Sequence, residues 1–297
     1  MAVAASTAVS GLRLPKSCGP EFLNGRTCRL ELDRPRIMGI LNVTPDSFSD
    51  GGVYLSPERA IERAMLMADE GADLIDIGGE SSRPGAAAIS IQEELDRVLP
   101  VLEGLAGEIG IPLSIDTSKS AVASSAVAAG AEFVNDISGL QFDPDMAAVV
   151  AESGAGLFVM HTRGRPAQMQ ANTGYSDLLG EVAGCLRESL EMALRAGVAV
   201  EKLAVDPGIG FGKDVAGNLE LLRRLAELTC LGRPILLGTS RKSFIGRILG
   251  QDDPRQRLAG SLATVALGVA GGAQIFRVHD VAPSREAALI ARAVCWP

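Results

Sequence analysis

The chain has 297 residues, a net charge of −8 and no block of lysine or arginine, which argues against nucleic acid or an anionic membrane surface as a partner. Hydrophobic residues make up 47% of the sequence, so we expect a large buried core. No apolar run is long enough to span a bilayer, so we expect no association with a membrane. The five cysteines are scattered without a CxxC pair, which predicts a cytoplasmic protein with no structural metal site.

In chain order, the first predicted element is a loose, disordered extension over residues 1–20, followed by a single domain over 21–297. Asn24 and Gly25 lie between short apolar segments and form the commonest two-residue hairpin signal, so we expect a β-hairpin ahead of the main fold. A pattern then repeats, in which a short apolar run is followed by an irregular loop and an amphipathic segment. Helices are predicted over 56–70, 91–105 and 177–196, and a last one ends near residue 294.

The apolar runs are predicted to be strands, and there are eight of them. Near-continuous apolar strands that alternate with helices are typical of a parallel sheet buried on both faces. Eight such units predict an α/β fold, a closed (β/α)8 TIM barrel. The alternative is a doubly wound open sheet, which would favour a glycine fingerprint after the first strand, where this chain has NVTPDSFSDGG.

The segment DPGIGFGK (206–213) follows the sixth strand and places three glycines within five residues, a composition that builds a tight turn. The turn is expected to hold Asp206 at the tip of the strand. It is not a Walker A loop, because Pro207 and Asp214 occupy positions where that motif needs glycine and a hydroxyl residue. Its glycines also miss the dinucleotide-binding spacing.

The predicted strands end in polar residues, and in such barrels the active site forms at these ends. Asp116, Asn135 and Asp206 are acceptors suited to a flat ligand with a row of N–H donors, and Lys242 would serve the acceptors of the same ring. On the seventh and eighth strands, where phosphate is commonly bound, the tips carry Ser240, Arg241, Lys242, Arg277 and His279.

Asn42 is a neutral oxygen ligand of the kind that completes the shell of a Mg²⁺ already held by substrate phosphates. No HxH or HExxH pattern or carboxylate cluster has the spacing of a dedicated metal cage. We therefore expect any magnesium to arrive with a phosphorylated substrate.

Taken together, the motifs resemble those of the dihydropteroate synthase family of the folate pathway, in the family's order, from about residue 36 to the C-terminus. The segments that carry the resemblance are MGILNVTPDSFSDGG (38–52), DIGGESSRPG (76–85), SIDTSK (114–119), NDISG (135–139), VMH (159–161), DPGIGFGK (206–213), GTSRKSFIG (238–246) and RVHD (277–280). The resemblance implies a pterin-binding barrel that joins p-aminobenzoate to 6-hydroxymethyl-7,8-dihydropterin diphosphate, releases pyrophosphate with the help of Mg²⁺, and is inhibited by sulfonamides. It also implies a homodimer formed through the last helices.

Site residues are implied by the same resemblance, and Asp116, Lys242 and Arg277 are expected to be catalytic. The pterin would be bound by Asp116, Asn135, Met160, Asp206 and Lys242; the diphosphate by Asn42, Arg277 and His279, with Asn42 the metal ligand; and p-aminobenzoate by Ser82, Arg83, Pro84, Phe211, Lys213 and Ser240. Many family members have threonine at the position of Ser82. His161 is not assigned as a general base, since an aniline nitrogen needs none; a hydrogen-bonding role or a ligand contact is expected.

Three alternative functions are compatible with the sequence to different degrees. A related corrinoid-dependent methyltransferase barrel would leave the cluster at Arg277 and His279 unexplained, because its substrate has no diphosphate. A non-catalytic paralogue would keep the barrel and bind a pterin or a protein. A sugar-phosphate enzyme would not explain the acceptors at the ring edge. The segments TPDSFSDGG (44–52) and SSRPGAAAI (81–89) are predicted to be lids, or otherwise long solvated loops.

Overall fold

In the computed structural model of the protein, which describes residues 19–44 and 56–295, eight parallel strands curve into a barrel surrounded by helices. The barrel strands are β3 (Arg36–Asn42), β4 (Leu74–Gly78), β5 (Leu113–Asp116), β6 (Phe133–Asp136), β7 (Gly156–Met160), β8 (Leu203–Asp206), β9 (Leu236–Leu237) and β10 (Ile275–Val278). The order of hydrogen-bonded neighbours is β8-β7-β6-β5-β4-β3-β10-β9. The prediction of a TIM barrel with an N-terminal hairpin is confirmed.

The seam between the first and last strands of this order is narrow. β9 has only two residues, and the contact with β8 is a parallel bridge between Val205 and Ile235, supported by a hydrogen bond of 2.9 Å from Val205 N to Pro234 O. The remaining neighbours are joined by regular parallel ladders.

The helices cover the outside of the barrel. They are α1 (Pro57–Asp69), α2 (Ile91–Leu105), α3 (Ser120–Ala128), α4 (Met146–Ser153), α5 (Leu178–Ala196), α6 (Val215–Arg223), α7 (Ser243–Leu249), α8 (Leu258–Ala270) and α9 (Val281–Cys295). The predicted spans at α1, α2 and α5 agree with these bounds to within one residue at each end. In the part of the chain that the structure describes, no helix has both the length and the apolar character needed to cross a membrane.

Side chains alternate between two cores along each strand, as the period of two of a β-strand requires. In β4, Ile75 and Ile77 belong to the large core between sheet and helices, whereas Leu74 belongs to a smaller cluster inside the barrel. Asp76 and Gly78 share the face of Leu74 and therefore also point inward. The interior is thus apolar at its base and polar toward the carboxyl ends of the strands.

The N-terminal hairpin closes the base of the barrel. Strands β1 (Phe22–Asn24) and β2 (Arg29–Glu31) are antiparallel, and Leu23 is fully buried in the same cluster as the interior side chains at the base. The turn differs from the predicted two-residue Asn-Gly turn, because Asn24 pairs with Arg29 and leaves a loop of residues 25–28. Glu132 favours this wider loop by accepting hydrogen bonds from Thr27 N at 2.6 Å and Cys28 N at 3.0 Å.

Two of the sequence-based expectations fall wholly or mainly on residues that are not described. Residues 1–18 of the predicted extension and residues 45–55, which contain most of the first predicted lid, lie outside the described part of the chain.

Candidate active site

A buried guanidinium lies at the centre of the barrel mouth. Arg277 of β10 donates from Nε to Asp76 Oδ2 and from Nη2 to Asp116 Oδ2, each at 2.6 Å. Asn135 Nδ2 of β6 donates to the same Asp76 oxygen at 2.9 Å. A single network therefore joins strands β4, β5, β6 and β10, and it contains three of the residues predicted to bind or transform the ligand.

Asp76 is the member of this network that sequence reasoning missed. Its side chain is 0% exposed, and its second oxygen, Oδ1, is buried without a hydrogen-bond partner among the described protein atoms. The alternation of side chains along a strand indicates its orientation: Asp76 lies two residues before Gly78, the last residue of β4, and therefore on the same inward face. A fully buried carboxylate in a strand is costly unless it is paired, so its presence alone predicts an inward cation.

Asp206 and Arg277 approach each other from opposite sides of the barrel seam. A Cβ atom on Gly238, which follows β9, would lie 3.8 Å from Asp206 Oδ2 and 3.8 Å from Arg277 Cβ. Asp206 Oδ1 accepts a hydrogen bond of 2.7 Å from Gly208 N, so the carboxylate is held by its own loop and presents Oδ2 to the mouth. Burial raises the pKa of Asp206 to about 6. Burial also raises the pKa of Asp116, against the opposing effect of the Arg277 charge.

The DPGIGFGK loop wraps tightly around its own lysine. Lys213 is only 3% exposed, and its Nζ contacts Gly208 O at 2.9 Å, Phe211 O at 2.8 Å and His161 Nδ1 at 2.9 Å. Gly208 has a φ of +68°, and a Cβ there would lie 1.9 Å from His161 O, so no other residue fits. The structure thus turns Lys213 into the loop, although the sequence predicted that it lines the p-aminobenzoate site.

Both histidines of the chain are held neutral. Burial, followed by the charges of Lys213 and Arg163, lowers the pKa of His161 to about 3. Burial, followed by the charges of Arg241 and Arg277, lowers the pKa of His279 to about 3. For His161 this agrees with the predicted hydrogen-bonding role, since its Nδ1 contacts the lysine of the neighbouring loop.

A second cluster at the mouth contains Ser240 and His279. Ser240 Oγ lies 3.0 Å from His279 Nδ1 and accepts a hydrogen bond of 3.2 Å from His279 N. Between Ser240 and Lys242, Arg241 adopts a left-handed φ of +57°, a conformation that costs free energy and needs support. That support comes from an ion pair with Asp280, at 2.5 and 3.0 Å, so Arg241 is tied to the turn after β10.

Apolar side chains form one wall of the mouth. Met160, Phe211 and Met169 make a small buried cluster with Ile137 packed against it. Lys242 Nζ lies 4.0 Å from the centroid of the Phe211 ring, and burial lowers the pKa of Lys242 to about 8. A flat ligand could therefore contact thioether and aromatic surface on its face while charged groups reach its edge.

Residues of the β4–α2 loop lie at the edge of the mouth. Ser82 is half-buried, whereas Arg83 and Pro84 are exposed. Ser82 and Asp116 both line a cavity of about 70 Å³. A larger cavity of about 410 Å³ lies at the opposite end of the barrel, and none of its lining residues is a predicted site residue. The mouth, where the charged groups meet, is therefore the candidate functional site.

The residues at the mouth fit a Mg²⁺ ion only as a partner of substrate phosphate. Among the described residues, no group of three or more His, Cys, Asp and Glu side chains has the arrangement of a metal site. Asn42 and Asp116 flank Gly78, where a Cβ atom would lie 3.7 Å from Asn42 Oδ1 and 3.5 Å from Asp116 Oδ2. One amide oxygen beside one carboxylate suits an ion whose other ligands are phosphate and water.

Comparison with known proteins gives a consistent result. The sequence pattern of the family described as pterin binding enzymes matches residues 38–279. The dihydropteroate synthase of Synechocystis sp. is 49% identical over 261 residues, which cover 88% of this chain and 90% of that protein. The crystal structure of the Yersinia pestis dihydropteroate synthase with a sulfonamide drug complex superposes with a TM-score of 0.88 at 47% identity, covering 92% and 98% of the two chains. The Clostridium difficile enzyme in the presence of pteroic acid gives a TM-score of 0.83 at 48% identity, covering 89% and 98%.

The neutral histidines generate a prediction for NMR, which is simplified because the chain has only two of them. Neither imidazole should titrate between pH 5 and 8, since burial and nearby cations lower the pKa of each to about 3. In a Lys213→Met variant the pKa of His161 should rise, because one of the cations that oppose its protonation is gone. His279 serves as the internal control and should be unchanged. Titration of His161 near its ordinary pKa in the unmodified protein would contradict the buried contact with Lys213.

Proposed function

The chain belongs to the family of pterin binding enzymes, and on that premise we propose how the side chains at its barrel mouth perform its reaction. The reaction is that of a dihydropteroate synthase: p-aminobenzoate and 6-hydroxymethyl-7,8-dihydropterin diphosphate give 7,8-dihydropteroate and pyrophosphate. The chain is thus a transferase of folate biosynthesis and a sulfonamide target. The observation that carries the assignment of roles is the network of Arg277 with Asp76, Asp116 and Asn135.

Asn135, Asp206 and Lys242 would bind the edge of the pterin ring. Because Asn135 Nδ2 donates to Asp76, its amide is oriented with Oδ1 as the acceptor for a ring N–H group. Asp206 Oδ2 would accept from the amino-pyrimidine edge, while its Oδ1 is held by Gly208 N. Met160 supports this assignment as an apolar surface for the ring face.

Arg277, His279 and Asn42 would bind the diphosphate. Ser240 Oγ accepts from His279 N, so its own hydrogen is available for His279 Nδ1. That arrangement favours the tautomer with hydrogen on Nε2, which is a neutral donor for a phosphate oxygen. We propose Mg²⁺ as the cofactor, with Asn42 Oδ1 as a protein ligand; when bound it would neutralise charge on the leaving pyrophosphate.

The bond to be broken joins the exocyclic methylene of the pterin to the diphosphate oxygen. As that oxygen leaves with the electron pair, positive charge develops on the methylene and is delocalised into the dihydropterin. The Asp116 carboxylate would stabilise this charge, and Arg277 would stabilise the departing pyrophosphate. The aniline nitrogen of p-aminobenzoate then forms the new C–N bond and loses a proton, without the need for a strong base.

For p-aminobenzoate, the assignment rests on Ser82, Arg83 and Pro84 of the β4–α2 loop together with Phe211 and Ser240. The cavity that Ser82 shares with Asp116 supports it, because the amine must reach the methylene whose charge that carboxylate would stabilise. Lys213 would act by holding the shape of the DPGIGFGK loop, which its burial favours over direct contact with the substrate.

A homodimer through the last helices is also proposed. Leu267 on α8 is 60% exposed, and Ile290 and Val294 on α9 are each 69% exposed, although all three are large apolar side chains. Helices α8 and α9 pack against each other, so these side chains belong to neighbouring surfaces. A second copy of the chain would cover them.

The unpaired Cys28, Cys185, Cys230 and Cys295 support the proposed cytoplasmic location.

The first test is pyrophosphate release by the purified protein. Release should require p-aminobenzoate, the pterin diphosphate and Mg²⁺ together. Arg277→Ala should reduce kcat/KM by about 100-fold or more, because the variant loses the charge proposed to stabilise the departing pyrophosphate and the hydrogen bond that holds Asp116. Arg195→Ala, at an exposed position on α5, is the control and should have no effect. Pterin diphosphate binding without release would instead indicate a non-catalytic paralogue, and full activity of the Arg277 variant would refute its assigned role.

A second prediction concerns the pH dependence of pterin binding. Asp206 must be ionised to accept ring N–H donors, and burial raises its pKa to about 6. The affinity should therefore be nearly constant above that pH and fall by about tenfold per pH unit below it. Calorimetry between pH 5 and 8 with 6-hydroxymethylpterin, which has no diphosphate to titrate, measures this directly. The Asp206→Asn variant should bind the pterin weakly and should not show the fall in affinity below pH 6. A pterin affinity that is constant from pH 5 to 7 in the unmodified protein would exclude Asp206 as the acceptor.

The dimer can be tested by sedimentation velocity. The unmodified chain should sediment as a dimer, whereas Leu267→Glu combined with Ile290→Glu should sediment as a monomer, because two charges per chain would be buried in the interface. Leu66→Glu, at an apolar position of α1 that is 50% exposed, is the matched control and should stay dimeric. A monomeric unmodified chain would contradict the proposal.

A further inference from the structure

The loop that carries Ser82, Arg83 and Pro84 is closed at its base by one lysine. We call residues 79–90 the mouth loop; it begins where β4 ends at Gly78 and stops at Ser90, whose Oγ accepts from Glu93 N at 3.1 Å and caps α2. Glu80 lies at its start, and Glu94 lies in the first turn of the helix that follows. The ends of the mouth loop are therefore close in space.

Lys119, from the segment between β5 and α3, bonds to both of these glutamates. Its Nζ donates to Glu80 Oε2 and, at 2.5 Å, to Glu94 Oε2. The Glu94 side chain is 1% exposed, and those of Lys119 and Glu80 are 20% and 24% exposed. A single cation thus joins the residue that enters the mouth loop to the residue that follows it.

Packing of α2 against the end of β4 makes this base rigid. Arg97 Nη1 donates to Gly79 O at 2.7 Å, and a Cβ atom on Gly79 would lie 2.8 Å from Val98 Cγ1. The tip of the mouth loop has a weaker connection, a hydrogen bond of 3.0 Å from Gly85 N to Pro166 O. The position of the tip therefore depends on how the base is held.

The charges at the base explain why a lysine is needed there. Burial raises the pKa of Glu94, an effect that its hydrogen bond to Lys119 opposes. For Lys119, burial acts to lower the pKa, but the hydrogen bonds to Glu80 and Glu94 outweigh it and raise the pKa. Without the ammonium group, two acidic side chains would face each other with no cation between them, and Glu80, which follows the residue held by Arg97, would move away from Glu94.

We propose that Lys119 is a positioning residue for p-aminobenzoate: by joining Glu80 to Glu94 it fixes the mouth loop so that Ser82 and Arg83 meet that substrate. This inference rests on the proposed assignment of Ser82 and Arg83 to the p-aminobenzoate site. The effect of Lys119 should be specific to p-aminobenzoate, because the groups assigned to the pterin edge come from β6, β8 and the turn after β9. Glu80, Ser82 and Glu94 line one cavity together with Asp116, which supports the inference, since a shift of the loop base would move Ser82 within that cavity.

The test is a comparison of Michaelis constants in Lys119→Met. We expect the KM for p-aminobenzoate to rise by about tenfold or more, while kcat and the KM for the pterin diphosphate stay within about twofold. The inhibition constant of a sulfonamide should rise by the same factor as the KM for p-aminobenzoate. Lys119→Arg, which keeps a cation able to bond two carboxylates, should restore most of the loss.

Lys202→Met is the matched control. Lys202 also uses its Nζ to join two segments, by bonds to Gly25 O at 2.8 Å and to Gly154 O, but it does so at the base of the barrel. A general loss of stability would affect both lysine variants and both substrates, whereas loss of loop position should affect only Lys119→Met and only p-aminobenzoate. If Lys119→Met does not fold, Glu80→Gln should show the same selective rise in KM, to a smaller extent.

The outcomes separate this inference from the proposed function. An unmodified protein that releases no pyrophosphate would overturn the function itself. An active protein in which Lys119→Met or Glu80→Gln leaves the KM for p-aminobenzoate unchanged, or raises both Michaelis constants equally, would overturn only the role of Lys119. A selective rise that Lys119→Arg reverses would establish it.

Discussion

The burial of the Arg277 guanidinium between two carboxylates is the constraint on which the mouth of this barrel depends. A charge in that position is tolerated only when its partners have good geometry, and Asp76 and Asp116 supply it at 2.6 Å each. The carboxylates come from adjacent strands and the arginine from a third, so the barrel must close correctly for the network to form. Once formed, it fixes Asp116 and orients the Asn135 amide, and the reactive groups need little rearrangement on binding.

The arrangement also explains how two opposite requirements share one barrel interior. The base is filled by apolar side chains such as Leu74 and Phe133 together with Leu23 of the hairpin, and it supplies hydrophobic stabilisation. Asp76 is the next inward-facing residue of β4 after Leu74, and at this level the interior becomes charged. Stability is thus concentrated at one end of the strands, which allows the other end to hold buried charges that would be costly elsewhere.

Much of this organisation could be predicted from the sequence, because it depends on local periodicity. The eight strands, the bounds of α2 and the polar strand tips follow from short repeating patterns that do not require knowledge of distant contacts. What could not be predicted depends on partners far along the chain. The strand period marks Asp76 as inward but does not identify its partner Arg277, which is 201 positions away. The hairpin turn is likewise widened by Glu132, 105 positions from Thr27. The inward orientation of Lys213 likewise follows from the curvature of a glycine-rich loop, which composition alone does not specify.

The hairpin that fills the base of the barrel affects how substrates enter and products leave. Leu23, Leu30 and Leu32 pack beneath the interior side chains and fill the base of the barrel, so among the described residues the groups of the proposed site are reached from the mouth. Under the proposed assignments, pyrophosphate would then depart through the same mouth by which p-aminobenzoate arrives. A slow exit of pyrophosphate through this shared mouth would therefore delay the next cycle, regardless of how fast the bonds are made.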